Sequence, residues 1–290
     1  MTSKASRTGA IRDYDLPSAG VKAAIVVIYV SCAVLTIVSL FPPIWVFLAS
    51  FKDIKEFTTE PTLFPKTFDF SRLAATWNNF GFGRYYLNSL LSVAGSVVCA
   101  VVVNGLLAYG ITILKPKGAK VVYWLILWSM LIPATTSIVP LFVNINNLGL
   151  SGFFTPLWLA AGANAFFVIL FARFFESFPR EMLEAGRIDG CTTLNEFARI
   201  VMPLSMPIVI VVVIYAINGA WSDFLLPYLV LNGTDWRTVM VRLFQFRTEK
   251  QITDVDVLRA VIFSIIPPTI LFVAFQKKLT ENLVLSGVKG

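Results

Sequence analysis

An all-α integral membrane protein with six transmembrane helices is the fold class that the sequence predicts. Hydrophobic residues make up 57% of the 290-residue chain and charged residues only 14%, where soluble domains carry about 45–50% and about 25%. Mean hydropathy is +0.75, more than a soluble surface tolerates. Apolar runs long enough to cross a bilayer, about 20 residues of helix, recur along the chain.

The expected spans are residues 23–50, 88–114, 121–145, 153–172, 207–231 and 258–275. The first carries Pro42 and Pro43, the third Pro133 and Pro140, the fifth Asp223 and Pro227, and the sixth Pro267 and Pro268. Proline in a lipid-embedded helix requires neighbours that re-satisfy the freed backbone groups, so a tightly packed, kinked bundle is expected. Residues 1–22 form a polar N-terminal segment, 23–275 the six-span domain with a polar loop at 177–207, and 276–290 a C-terminal tail. The first run is too long for a signal peptide and lacks a suitable cleavage site, so it is read as a retained span.

Basic residues set the orientation. The connector 115–120 holds Lys115, Lys117 and Lys120, whereas 146–152 carries no charge. Both termini and the 177–207 loop are therefore expected in the cytoplasm. The net charge of +7 is carried by connectors between apolar runs, where membrane topology and lipid headgroups account for it, and no nucleic-acid surface is expected. The chain has no histidine, the commonest metal ligand and general base. Cys32, Cys99 and Cys191 fit neither a metal site nor a disulfide framework. No Gly-rich phosphate loop is present, so any ATP used is hydrolysed by another chain, and this chain is expected to be a non-catalytic subunit that binds no cofactor.

The 177–207 loop carries the most information. Pro179 suits a first helical turn, and Glu181 and Glu184 follow near a helix N-terminus. Gly190 is a stop, Thr193 and Glu196 are spaced as a capping box, and Leu194, Phe197, Ala198 and Val201 form one apolar face. Pro203 ends the second helix. Two short helices around a sharp turn are expected, either as a connector on the headgroups or as a docking element for a cytosolic partner.

These residues resemble the EAA loop of binding-protein-dependent ABC importer permeases. Glu184, Ala185 and Gly186 stand for Glu-Ala-Ala, followed by Gly190, Ile200, Met202 and Pro203 at the motif spacing. Gly186 replaces the third alanine and Met202 a leucine. The resemblance extends to Phe41-Pro42-Pro43-Ile44-Trp45, Ser50-Phe51-Lys52, Tyr86-Leu87-Asn88-Ser89-Leu90, Trp221-Ser222-Asp223-Phe224-Leu225-Leu226-Pro227 and the ending Ser286-Gly287-Val288-Lys289-Gly290. It is nearest the carbohydrate class, similar to the second permease of maltose-type systems.

The resemblance implies a second homologous permease, two ATPase subunits that use ATP and magnesium, an extracytoplasmic solute-binding protein, and a bacterial or archaeal cytoplasmic membrane. It implies ATPase docking by Glu184, Ala185, Gly186, Asp189, Gly190, Ile200 and Pro203. It also implies an ATPase contact by the tail residues Gly287, Val288, Lys289 and Gly290, where a solvated tail is the plain alternative. In maltose-type relatives the outer loop corresponding to 232–257 reaches into the binding protein. Glu184 has a local alternative, an i,i+3 pair with Arg187, and Asp189 a local helix-terminus bond. Asp223 either lines the solute path or orients a loop at the interface. Trp221 and Tyr228 either stack on sugar rings or belong to an aromatic belt. A secondary transporter, an intramembrane enzyme and a membrane scaffold are the rival classes, and none accounts for the loop motif.

Overall fold

The computed structural model describes residues 19–60, 62–246, 249 and 252–287, with side chains as far as residue 276. The described residues are helical and contain no strand. Two compact units divide at Phe70 and Ser71.

The first unit is led by α1 (Ala19–Ala49), which keeps Pro42 and Pro43 within one continuous helix. Along most of its length its side chains are apolar all round and unburied, the pattern of a helix solvated by lipid, and only Leu48 and Ala49 at its end are buried. A tight turn leads to α2 (Ile54–Thr59), where the Asp53 carboxylate caps the helix by accepting from the Glu56 N–H. Phe51 is buried edge-on against Phe47, Phe68 and Phe70. Lys52, 4% exposed, donates through Nζ to the Thr62 backbone carbonyl and hydroxyl. The Ser-Phe-Lys motif therefore closes this turn.

In the second unit, α3 (Phe70–Asn79) precedes α4 (Phe82–Tyr109), which a π-helical turn, Gly110–Leu114, prolongs. Lys115 stops it at φ 47, and Pro116 forbids its continuation. Then come α5 (Ala119–Ser129), α6 (Ala134–Asn147), α7 (Thr155–Gly162) and α8 (Ala165–Glu176). After the polar loop follow α12 (Met206–Ser222), α13 (Leu225–Leu231), α14 (Val239–Phe246) and α15 (Asp254–Gly287). α4 packs against α7, α8, α12 and α14. Between a buried Phe82 and a buried Tyr109, most of its buried residues are small or polar, among them Ser92, Ser96, Ala100, Asn104, Gly105 and Ala108. Asn104 donates to the Ala100 and Ala161 carbonyls and accepts from the Asn164 N–H, so α4, α7 and α8 share one buried amide.

Among the described residues three helices, Gly20–Ala49, Phe82–Leu114 and Asp254–Gln276, are long and apolar enough to cross a membrane, and three bent pairs raise the total to as many as six. The expected third span is broken: α5 and α6 meet at 108°. Pro133, the α6 N-cap with ψ 129, forces the break, while Pro140 stays inside α6. Neither half alone has the ~20 residues a span needs. The fourth is bent by 41° between α7 and α8. The expected fifth divides at Asp223, between α12 and α13. The helix of the sixth runs on to Gly287, past the expected end of the span at 275 and into the expected tail at 276–290. Val288, Lys289 and Gly290 lie outside the described residues.

Part of the 232–257 segment is packed on the second unit. Val239, Val241 and Phe246 of α14 are buried, and the Arg242 guanidinium sits 4.5 Å over the Phe246 ring. Asn88 donates to the Asp235 and Arg237 carbonyls, and the Ser89 hydroxyl accepts from the Val239 N–H. The Asn-Ser pair of the α4 motif thus fastens this segment to the bundle, while Asp235, Trp236 and Phe244 stay exposed.

Candidate functional site

The polar loop folds as two short helices about a tight turn. α9 (Arg180–Ile188) begins at Pro179, with Glu181 in its first turn. It ends at Gly190, φ 81, in the left-handed region that suits glycine. The Gly190 N–H donates to the Arg187 carbonyl and the Cys191 N–H to the Gly186 carbonyl, the pattern of a Schellman stop. α10 (Thr193–Glu196) runs on through a π-helical turn, Phe197–Val201, into α11 (Met202–Leu204). The break comes at Ser205, after Pro203, with an 84° bend into α12.

The cap of α10 is Thr192, whose hydroxyl accepts from the Asn195 N–H, and not Thr193. Glu196 is then one residue too far along to reach back and close a capping box. It turns inward instead and is 1% exposed. Arg187 holds it with a fork of two bonds, Nε–Oε2 at 2.8 Å and Nη2–Oε1 at 3.2 Å, and the Tyr109 hydroxyl of α4 donates to Oε1 at 2.9 Å. Burial pushes the Glu196 pKa up, but the Arg187 and Tyr109 hydrogen bonds outweigh it and hold the pKa below the ordinary 4.5. The buried face of the second helix is accordingly Glu196, Phe197 and Val201, while Leu194 and Ala198 are exposed. Tyr109 and Phe197 pack ring to ring at 5.3 Å, and Leu183 joins the same core. One carboxylate thereby ties α9, α10 and α4 together. Sequence reading missed this group, because its partners lie nine and 87 residues away.

The expected docking residues divide into two sets. Glu184, Ala185, Asp189, Gly190 and Pro203 are exposed. Gly186 is buried, and Ile200 half-buried, at the joint between the helices. A Cβ on Gly186 would meet the Ile200 δ-methyl, the far end of a flexible side chain, which must shift to admit the alanine of the motif. Arg187 pairs with Glu196 rather than with Glu184, and no ion pair among the described residues reaches the Glu184 carboxylate. Beside it, Ile188 is 86% and Leu194 69% exposed. An acidic side chain flanked by bare apolar ones around a rigid turn is suited to bind a basic, apolar groove.

Asp223 follows α12, and its Oδ1 accepts from the Leu225 N–H, capping α13. It also lines a cavity of about 350 Å³ with Ser92, Ser96, Asn164 and Tyr215. Trp221, expected beside it on the solute path, sits in the core. It is 4% exposed, its indole N–H donates to the Ser264 carbonyl, and Tyr86 packs against it edge-on. Tyr228 packs against Phe224 and Phe244. No group of side chains able to hold a metal occurs among the described residues.

Residues 100–283 match the family described as the binding-protein-dependent transport system inner membrane component. The probable ABC transporter permease protein YurM of Bacillus subtilis is 30% identical, covering 86% of this chain and 84% of its own length. The diacetylchitobiose uptake system permease of Streptomyces coelicolor is 26% identical, covering 86% and 83%. The sulfoquinovosyl glycerol transport system permease of Agrobacterium fabrum is 29% identical, covering 90% and 93%. The fold is similar to a chain in the crystal structure of a bacterial ABC transporter that imports the acidic polysaccharide alginate. That TM-score is 0.79 at 22% identity, covering 93% of this chain and 99% of the other. With the matched region spanning more than half of its length, the chain belongs to the family of inner membrane components of binding-protein-dependent transport systems.

Proposed function

We propose that this chain is one of two paired permeases in an ATP-driven carbohydrate importer, crossing the membrane six times with both termini cytoplasmic. A binding protein outside delivers the solute, and two ATPase subunits inside hydrolyse ATP with magnesium. The observation that carries this reading is the docking loop. Glu184, Ile188 and Leu194 are exposed around the Gly190 turn, on a frame that Glu196 fastens to α4. Such a frame passes a push from an ATPase to the bundle without bending, as coupling requires.

In this scheme Glu184 meets a basic residue of the ATPase groove, with Ala185, Asp189, Gly190 and Pro203 on the contact face. Gly186 and Ile200 act beneath it, setting the angle between α9 and α10. The tail from Gly287 to Gly290 enters the ATPase interface, and removing its last five residues lowers transport without loss of membrane insertion. Carbohydrate is favoured by the named solutes of the relatives, diacetylchitobiose and sulfoquinovosyl glycerol.

The test is purification of the chain from its own membrane. A second permease and an ATPase should co-purify in stoichiometric amounts, and proteoliposomes of the complex should hydrolyse ATP faster when the solute-loaded binding protein is added. A chain that purifies alone and supports no ATP-dependent uptake contradicts the reading. For orientation, a cysteine replacing Asn147 should label from outside and one replacing Lys117 should not.

A further inference from the structure

The cavity beside Asp223 has a chemical character that the loop does not reveal. Ser92 and Ser96 lie one turn apart on α4 and share a face. Each is 2% exposed, and both line the cavity. Other helical hydroxyls of the bundle donate to a carbonyl of the preceding turn, Thr112 to Ala108, Ser205 to Val201 and Ser264 to Val261. Neither Ser92 nor Ser96 is engaged in that way, and no hydrogen bond among the described residues takes up either hydroxyl. Two buried hydroxyls without protein partners need a partner from the space they face.

The rest of the wall is suited to supply more. Asn164 spends Oδ1 on the Phe167 N–H, leaving its amide N–H groups. Asp223 spends one oxygen on the Leu225 N–H, leaving the other. Tyr215, half exposed, stands edge-on to Phe166 with its hydroxyl available. Ala161, Ala216 and Gly219 keep the space open. No lysine or arginine lines it, and the one charged group is a carboxyl.

We propose that this cleft is a solute subsite of this subunit for a neutral, hydroxyl-rich ring, and that it disfavours phosphorylated, sulfonated or uronic sugars. Hydroxyl donors and acceptors in alternation suit a polyol. The absence of a cation, with Asp223 present, disfavours an anion. A volume of about 350 Å³ lies near the lower end of the ~300–1,000 Å³ of small-molecule sites, so a longer sugar passes through extended, ring by ring. This rests on the importer reading and names its solute class.

The test uses the whole importer, with Cys32, Cys99 and Cys191 replaced and Ser96→Cys introduced. The new thiol is treated with a cationic and with an anionic methanethiosulfonate reagent, in the nucleotide-free and the vanadate-trapped states. The cationic reagent should react about tenfold faster, and Asp223→Asn, which keeps the α13 cap, should abolish the preference. Sucrose should slow the reaction more than glucuronate at equal concentration. An anionic reagent that reacts as fast or faster overturns the proposed class. A thiol inert to both reagents in both states overturns the cleft as a site. ATPase co-purification with the same variant is read separately: its loss contradicts the importer reading, and its retention leaves that reading standing whatever the thiol does.

Discussion

Replacing Arg187 by alanine should loosen the coupling loop while leaving the bundle intact. The change strips Glu196, 1% exposed, of two of its three hydrogen bonds and leaves the Tyr109 hydroxyl. Removing one member of a fully buried ion pair costs about 3–5 kcal/mol. The Arg187 side chain is 51% exposed, so solvent screens the pair and the cost falls to about 1.5–3 kcal/mol. At about 1.4 kcal/mol for each factor of ten, local opening becomes roughly 10–100-fold more frequent. Hydrogen exchange followed by mass spectrometry reads this directly. Peptides covering 186–196, which contain the Gly190 and Cys191 amides bonded across the turn, should exchange faster by that factor, and peptides within 90–105 of α4 should not change. Solute moved per ATP hydrolysed should fall in proteoliposomes. The paired change Arg187→Met with Glu196→Leu removes both charges, so it should recover most of the lost protection. If exchange in 186–196 changes less than about twofold in Arg187→Ala, Glu196 does not fasten the loop and the reasoning fails.

The Glu196 pKa lies below the ordinary 4.5, so its contribution is fully present above that value and is lost as pH falls through the lower, folded-state value. Loop exchange corrected for intrinsic rate should therefore be flat from pH 6 to 8 (roughly neutral conditions) and rise only below 4.5, and Glu196→Gln should remove that rise. Gly186→Ala should be tolerated because the Ile200 δ-methyl can rotate aside. Gly186→Leu overfills the joint and should cost about 1–3 kcal/mol, read as a lowered unfolding midpoint of the detergent-solubilised complex.

Much of the architecture was legible because it depends on local pattern. The helices α1, α4 and α15 follow from uninterrupted apolar runs, and the Gly190 turn from a residue that accepts φ 81. What escaped depends on distant neighbours. Pro133 breaks its run and Pro140, Pro42 and Pro267 do not, although residue type alone treats them alike. The capping register slipped by one at Thr192, because two adjacent threonines offer the same chemistry and burial of Glu196 decides between them. Tyr109 lies in an apolar run where its hydroxyl gave no signal. The 232–257 segment is rich in charged residues, yet Val239, Val241 and Phe246 within it bury themselves. Asp223 was visible as the one carboxylate in its span. The two serines that face the same cavity looked like ordinary small residues of a packed helix.

The claim that the 177–207 loop transmits ATP hydrolysis to the membrane bundle is tested most directly at its turn. A Cβ on Gly190 would point into open space, so a substitution there strains the backbone alone, by about 1–2 kcal/mol and more for a β-branched residue. The measurement is ATPase co-purification together with ATP-dependent solute uptake, at matched expression, for Gly190→Val and Glu184→Lys. Both variants should insert and pair with the second permease, bind the ATPase poorly and lose most uptake, and an acidic change in the ATPase groove should restore Glu184→Lys. Normal docking and normal uptake in both variants would make the loop a mere connector and contradict the account.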